Sequence, residues 1–186
     1  MRLFVAIEIP EEIREAIAAF LKELRAIAPQ VKWVHAENLH LTLKFLGEVE
    51  AGKLGAIRNT LAAIRTKHPV TLDFRGLGFF PNEKRPRVFW AGIEASSNLK
   101  SLAAGMDHVL HRLGFPLEDR PFTPHLTLAR FSLPGLPAKL LASTRENESR
   151  TFGSTTVSEF HLIESKLKPG GAEYTTLQSF PFVVEA

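Results

Sequence analysis

The chain has no cysteine. That excludes a disulfide framework, thiolate-bound zinc, iron–sulfur clusters and a cysteine nucleophile, and it suits a reducing compartment. No apolar run approaches the roughly 18 residues of a membrane span. The run Leu3-Phe4-Val5-Ala6-Ile7 stops at Glu8 with no small-residue cleavage site after it. Neither a signal peptide nor a membrane partner is therefore expected, and the location reads as cytoplasmic. Charge of one sign is not in large excess: 23 basic against 20 acidic residues give +3, with a pI near 9.3. Such a balance permits a polyanionic partner and identifies none. Nucleotide-loop and hydrolase fingerprints are missing too. Gly76-x-Gly78 lacks the third glycine of a dinucleotide loop, and there is no Walker motif and no G-x-S-x-G elbow.

What is present is an ordinary globular composition, 45% hydrophobic and 23% charged over 186 residues. A chain of this length buries about 70% of its unfolded surface and needs no metal to hold a core. One domain, or two small coupled lobes, is the expectation. An internal repeat favours the second form. His40-Leu41-Thr42-Leu43 returns 85 residues later as His125-Leu126-Thr127-Leu128, and the same offset lays Arg2 on Arg87, Leu3 on Val88, Phe4 on Phe89 and Ala6 on Ala91.

The secondary structure implied by the pattern repeats as well. Residues 2–9 read as a strand, followed by a helix opened by Pro10-Glu11-Glu12 with Ile13, Ile17, Phe20, Leu21, Leu24 and Ile27 on its apolar face. The second copy offers a strand over 87–94, an N-cap at Ser97 and an apolar face of Leu99, Leu102, Met106, Val109, Leu110 and Leu113, with Gly114 as the stop. A strand carries each His-Leu-Thr-Leu. A helix follows at Leu54, Ile57, Leu61 and Ile64, and a weaker one over 136–144. Closing strands hold Val70, Leu72 and Phe74 in one copy and Val157, Phe160, Leu162 and Ile163 in the other. Pro169-Gly170-Gly171 then turns into a last strand over 174–184. The reading is β-α-β-α-β twice: a single bilobal α+β domain over 1–186, halves roughly 1–84 and 85–186, joined at 82–86. Each lobe would be an antiparallel sheet with helices outside, and a cleft would lie between the two.

Along a strand, residues i and i+2 share a face. His40 and Thr42 therefore point together, as do His125 and Thr127. If the lobes face each other, two imidazoles and two hydroxyls meet. That set suits acid–base chemistry on a phosphate: a neutral ring removes a proton, a charged ring supplies one, and hydroxyls hold non-bridging oxygens. One His-x-Thr alone reads as structural; its duplication at matched positions does not. Neither motif brings a carboxylate or a second histidine at ligand spacing, so no metal and no cofactor are expected. His108 and His111 form a closer metal-like pair, read here as a helix edge. His35, His68 and His161 have no repeat partner. Arg130 has the best phosphate-clamping group, but ideal alternation aims it away from His125. It reaches the site only if the strand ends, twists or bulges; otherwise it makes a surface salt bridge. Lys44 shares His40's parity and could face the cleft. Phe45, at Arg130's repeat position, could stack on a base but reads as core. Lys84, Arg85 and Arg87 are a solvated cluster or a phosphate guide.

The paired motifs resemble the H-x-T-x signatures of the 2H phosphoesterase superfamily. Within it the chain is similar to the RNA 2′,3′-cyclic phosphodiesterase family, also called 2′-5′ RNA ligase. The similarity extends over Arg2-Leu3-Phe4-Val5-Ala6-Ile7, residues 38–48, Phe80-Pro81, residues 85–90, residues 122–130, and Glu164-Ser165-Lys166-Leu167 through Gly171. The resemblance implies a bilobal α+β protein with its site between the lobes. It further implies metal-independent opening of a terminal RNA 2′,3′-cyclic phosphate to a 2′-phosphate, with reversible 2′-5′ joining of tRNA halves in some members. Carried over, His40 is the proton donor to the leaving 3′ oxygen and His125 the acceptor that activates water. Thr42, Thr127 and Arg130 bind the phosphate. A non-catalytic RNA-end binder, or an enzyme acting on a small cyclic nucleotide or ADP-ribose cyclic phosphate, are the competing readings. A monomer is expected, because the repeat supplies both half-sites.

Overall fold

The computed structural model describes residues 1–132 and 135–184. Among these, the strands are β1 (Arg2–Glu8), β2 (Lys32–Trp33), β3 (His40–Glu48), β4 (Arg65–Thr66), β5 (Val70–Phe80), β6 (Val88–Ala95), β7 (His125–Arg130), β8 (Thr151–Val157), β9 (Glu159–Lys168), β10 (Gly171–Pro181) and β11 (Val183–Val184). The helices are α1 (Glu11–Ile27), α2 (Leu54–Ala62), α3 (Ser97–His111) and α4 (Ala138–Glu146). Two antiparallel sheets result, in the orders β10-β9-β1-β3 and β2-β7-β6-β5-β8, with a small parallel pair of β11 and β4. This is the expected α+β architecture. One apolar core runs through both sheets and takes in Ile13, Ile17, Phe20, Leu21 and Leu24 of α1 and Leu99, Leu102, Met106 and Leu110 of α3.

The sheets do not coincide with the two halves of the sequence. β1 pairs with β9, so that β1 and β3 share a sheet with β9 and β10 from the second half, while β5 leaves the first half to pair with β6. The closing strand of each repeat thus crosses into the other lobe. The stretch around Val157, expected as one strand, breaks at Ser158: β8 joins one sheet and β9 the other. The two short strands β2 and β4 lack the length to show a period in the sequence. Ser96 rather than Ser97 is the residue before α3, and its Oγ accepts from the Thr71 N–H at 3.1 Å. The last long strand begins at Gly171, three residues before the expected start.

The repeat offset also needs correction by one residue in the first strand. Val5 pairs with Lys44, and Phe89 with Ala129, the residue 85 after Lys44. β6 is therefore displaced from β1 by 84, and Phe4 corresponds to Val88. A one-residue slip exchanges the faces of a strand, and the residues bear this out. Phe89 lies in the main core, whereas Phe4 joins Ala6 and Ile163 in a separate buried cluster on the opposite face.

Each motif strand carries a bulge at the equivalent leucine. In β3, Thr42 faces Ala6 and Lys44 faces Val5, leaving Leu43 without a partner. In β7, Thr127 faces Trp90 and Ala129 faces Phe89, leaving Leu128 without one. An extra residue reverses the alternation beyond it. Leu43 and Lys44 are both buried, as are Leu128 and Ala129. Lys44 consequently turns to the core side, away from the cleft that its parity suggested. Its side chain is 1% exposed; Nζ sits 2.6 Å from Asp107 Oδ1 on α3 and donates to Pro116 O at 2.6 Å and Glu118 Oε1 at 3.2 Å. This ion pair fastens the motif strand to α3. Replacing Lys44 by Met removes one partner of a buried pair, which costs about 3 kcal/mol. The expected result is a lower urea midpoint at unchanged m-value, with much of the loss recovered in Lys44→Met/Asp107→Leu.

Candidate active site

His40 and His125 are the first residues of β3 and β7, and these two strands lie against each other between the sheets. Cross-strand partners share a face. Glu8, Ala6 and Phe4 stand opposite His40, Thr42 and Phe45, so these three motif-strand residues point one way. Gly92, Trp90 and Val88 stand opposite His125, Thr127 and Arg130, which likewise share a face. The bulge at Leu128 is what brings Arg130 round to the side of His125. Its charge acts on both imidazoles and on the Tyr174 phenol. His125 in turn acts on His40. His40, His125 and Arg130 therefore lie within reach of one another's charge, and Thr42 and Thr127 each share a strand face with the histidine of their own motif. Phe45, read as a core residue, is 53% exposed on that same face.

The two histidines are held alike. His40 Nδ1 lies 2.7 Å from Asn38 O, and His125 Nδ1 lies 2.7 Å from Thr123 O. A carbonyl only accepts, so Nδ1 carries the proton and Nε2 is left to exchange one with a ligand. The holding atom is a backbone oxygen two residues upstream in both cases, which leaves no mark on the side-chain sequence. Asn38 is itself tied down, its Nδ2 donating to Ala172 O of β10 at 2.8 Å. Around His40 the ring centroids of Phe4 and Tyr174 stand at 4.7 and 5.1 Å; around His125 that of Phe80 stands at 5.0 Å. Trp90 lies across Gly78, where an added Cβ would come within 2.2 Å of the indole. The glycine that failed as part of a nucleotide loop is thus required as the bed for Trp90. Tyr174, Phe4, Phe80 and Trp90 were not legible as site residues, because their strands meet the motifs only through the sheet order.

Burial holds the His40 ring below the usual histidine range; the Asn38 bond opposes this, and the charges of Arg130 and His125 add to it. Burial does the same for His125, opposed by the Thr123 bond and assisted by Arg130. Burial raises the Tyr174 phenol against the pull of Arg130 and Arg2.

A cavity of about 450 Å³ adjoins His125, with Phe80, Trp90, Phe122 and Thr123 in its wall. A larger one, about 900 Å³, lies between α2 and α3 and contains none of the expected site residues. No group of three or more histidine, aspartate or glutamate side chains arranged to hold a metal ion occurs among the described residues. His108 is exposed, and His111 Nδ1 lies 2.8 Å from Phe115 O, where it closes the end of α3. His161 is buried against Ser179 Oγ at 3.0 Å. Lys84, Arg85 and Arg87 are exposed. No helix is long and apolar enough to cross a membrane among the described residues.

A family model described as LigT like Phosphoesterase matches residues 7–90 and 93–174. The chain is 39% identical to an RNA 2′,3′-cyclic phosphodiesterase of Archaeoglobus fulgidus, over 97% of this chain and 99% of that one. Its identity to the protein of the same name from Methanothermobacter thermautotrophicus is 36%, over 97% and 98% of the two. Among solved structures, a Thermus thermophilus protein superposes with a TM-score of 0.83 at 35% identity, covering 100% of both chains. E. coli LigT complexed with 3′-AMP gives 0.76 at 34% identity, covering 97% of each.

The field at the site makes two checkable statements. Removing the guanidinium in Arg130→Gln should move the titration midpoints of both His40 and His125 upward, read by NMR of the ring protons. The folded rings hold the proton less tightly than unfolded histidines, which titrate near 6.5. The unfolded chain therefore binds more protons in the window below that value, and stability should fall as the pH drops through it. Urea midpoints measured across that range would check this, and the slope should shrink in His40→Ala.

Proposed function

The chain belongs to the LigT-like phosphoesterase family, and from that premise we propose that it opens terminal RNA 2′,3′-cyclic phosphates by proton transfer between its two repeat histidines. The single observation that carries this reading is the convergence of two identically held imidazoles with the Arg130 guanidinium. Phosphoric diester hydrolysis is the reaction class.

In the proposed reaction, His125 Nε2 takes a proton from water as the water oxygen attacks phosphorus. The P–O3′ bond breaks, and His40 gives its Nε2 proton to O3′. The product is a 2′-phosphate with a free 3′-hydroxyl, and solvent returns the two rings to their starting forms. Arg130, Thr42 and Thr127 hold the non-bridging oxygens. The depressed imidazoles serve this cycle. An empty site favours two neutral rings, one of which is already a base. An arriving phosphate brings negative charge that offsets Arg130 and favours protonation of the other ring. With a ribose 5′-hydroxyl in place of water, the same transfers would form a 2′-5′ bond, so reversible joining of RNA ends, tRNA halves included, is part of the proposal. No step requires a metal ion, and one polypeptide holds every group named.

An oligoribonucleotide ending in a 2′,3′-cyclic phosphate, incubated with excess chelator, is the decisive substrate. The expected product co-migrates with a 2′-phosphate standard and is sensitive to phosphatase. Turnover abolished by the chelator would count against the metal-independent route, and binding without turnover would favour an RNA-end binder. His40→Ala and His125→Ala should each lower kcat about 10²–10⁴-fold, and kcat/KM should be bell-shaped in pH.

A further inference from the structure

The two imidazoles are held by the same kind of bond, but the residues that make it are not themselves held alike. Asn38 and Thr123 stand 85 positions apart, as the two histidines do. Each offers its backbone oxygen to Nδ1 of the ring two residues on, at 2.7 Å. The side chain of Thr123 bonds locally, its hydroxyl donating to Pro121 O at 3.5 Å. Asn38 closes the 3₁₀ turn Ala36–Asn38, and its side chain reaches a residue 134 positions away, donating from Nδ2 to Ala172 O of β10 at 2.8 Å. β10 and β3 are the opposite edges of one sheet. Within that sheet β9 runs on past Ser165, the last residue that it pairs with β1. The tip of the β9–β10 hairpin thereby comes against the turn, with Gly171 beside His35 as well. The same strand carries Tyr174, whose ring stands edge-on to the His40 imidazole at 5.1 Å. One hairpin thus bears on His40 twice, through a ring edge and through the carbonyl of Asn38.

We propose that Asn38 is a positioning residue for His40: its carboxamide clips the turn to the hairpin, and so aims the carbonyl that keeps a proton on Nδ1 and leaves Nε2 for the reacting phosphate. The proposal rests on the hydrolase reading above, and it adds a residue that acts through the ring rather than on the substrate. A carbonyl only accepts, so the ring keeps its Nδ1–H for as long as that oxygen stays in line. The bond serves the whole proton cycle, because Nδ1–H is present in this neutral form and in the charged form alike. A primary amide suits the position: it donates to a carbonyl and brings no charge of its own to the ring. An aspartate there would set an acceptor against an acceptor. The groups that face His40 are Glu8 across β1, whose carboxylate accepts from Thr176 Oγ1 at 2.9 Å, Tyr174 on β10, and His125 and Arg130 on β7. Among the described residues, Asn38 O is the one hydrogen-bond partner of the ring. Loosening it removes the contact that sustains the charged form against burial, Arg130 and His125.

Asn38→Ala tests this, with Asn38→Ser, whose hydroxyl is too short to span to Ala172, as a second variant. NMR of the ring nitrogens reads the tautomer. Neutral His40 of the wild type should be in the Nδ1–H form, and the Nε2–H form should appear in both variants. The His40 titration midpoint should move downward while that of His125 stays, in contrast to Arg130→Gln, which moves both upward. One limb of the kcat/KM profile should shift with the His40 midpoint and by the same amount, while the other limb holds. kcat should fall by up to about 10²-fold, the cost of misplacing a reacting group by about 1 Å, with KM changed less. Thr123→Ala should move the His125 midpoint by less than Asn38→Ala moves that of His40. A merely structural role would lower activity without moving one limb alone. Wild-type His40 in the Nε2–H form, variants whose tautomer and midpoints match the wild type, or two limbs that move together would each overturn the proposal. Wild type that opens no cyclic phosphate would overturn the hydrolase reading instead, and the NMR would still decide for or against Asn38.

Discussion

Leu43 and Leu128 each stand without a partner across the ladder, and the character of the cleft depends on that one extra residue per strand. Without the bulges, strict alternation would leave His-x-Thr on the cleft face followed by Lys44 on one side and Ala129 on the other. With them, the lysine turns inward to Asp107 and an aromatic ring and a guanidinium turn outward. The same local irregularity therefore anchors a motif strand to α3 and completes the site. Bulges are features that re-aim a side chain at the cost of one ladder position. Here the fold uses that device twice, at positions related by its own repeat.

The electrostatic condition of the site follows from the same geometry. Both rings are anchored through Nδ1 to the backbone and partly removed from water, and the positive charge of Arg130 acts on each. That combination disfavours a charged ring until an anion arrives. In the proposed reaction, protonation and phosphate binding would then be linked, each making the other more favourable, with reciprocal coupling. A site of this kind need not carry a pre-protonated acid through the empty state.

Much of this was legible in the sequence, and the failures have physical causes. The repeated His-Leu-Thr-Leu singled out two strands that the structure sets against each other, and hydrophobic periodicity found α1, α2 and α3. The period of two predicted Lys44 outward and Phe45 inward, and both are reversed, because a bulge is invisible to a pattern that assumes regular alternation. Arg130 stayed open for the same reason. Matching letters at a constant offset misaligned the first strand by one residue, since Phe4 and Phe89 are alike in type but face opposite sides of their sheets. Tyr174 and Phe80 reach the site only because β10 and β5 take their places in sheets whose order the sequence does not encode locally.

The crossing of the closing strands has a consequence for how the chain is made. β1 leaves the ribosome before the other strands described, yet its neighbour β9 pairs Ala6 with His161 and Arg2 with Ser165, some 155–163 residues later in the chain. At roughly 5–20 residues per second of synthesis, the first strand waits on the order of 10–30 s for that neighbour. Leu3 to Ile7 are all buried in the finished protein, so a segment apolar on both faces must be kept from other partners in the meantime. The hairpin of β9 and β10 acts as a late-arriving clasp, and the sheet that bears His40 is finished only after both strands of that hairpin have been translated.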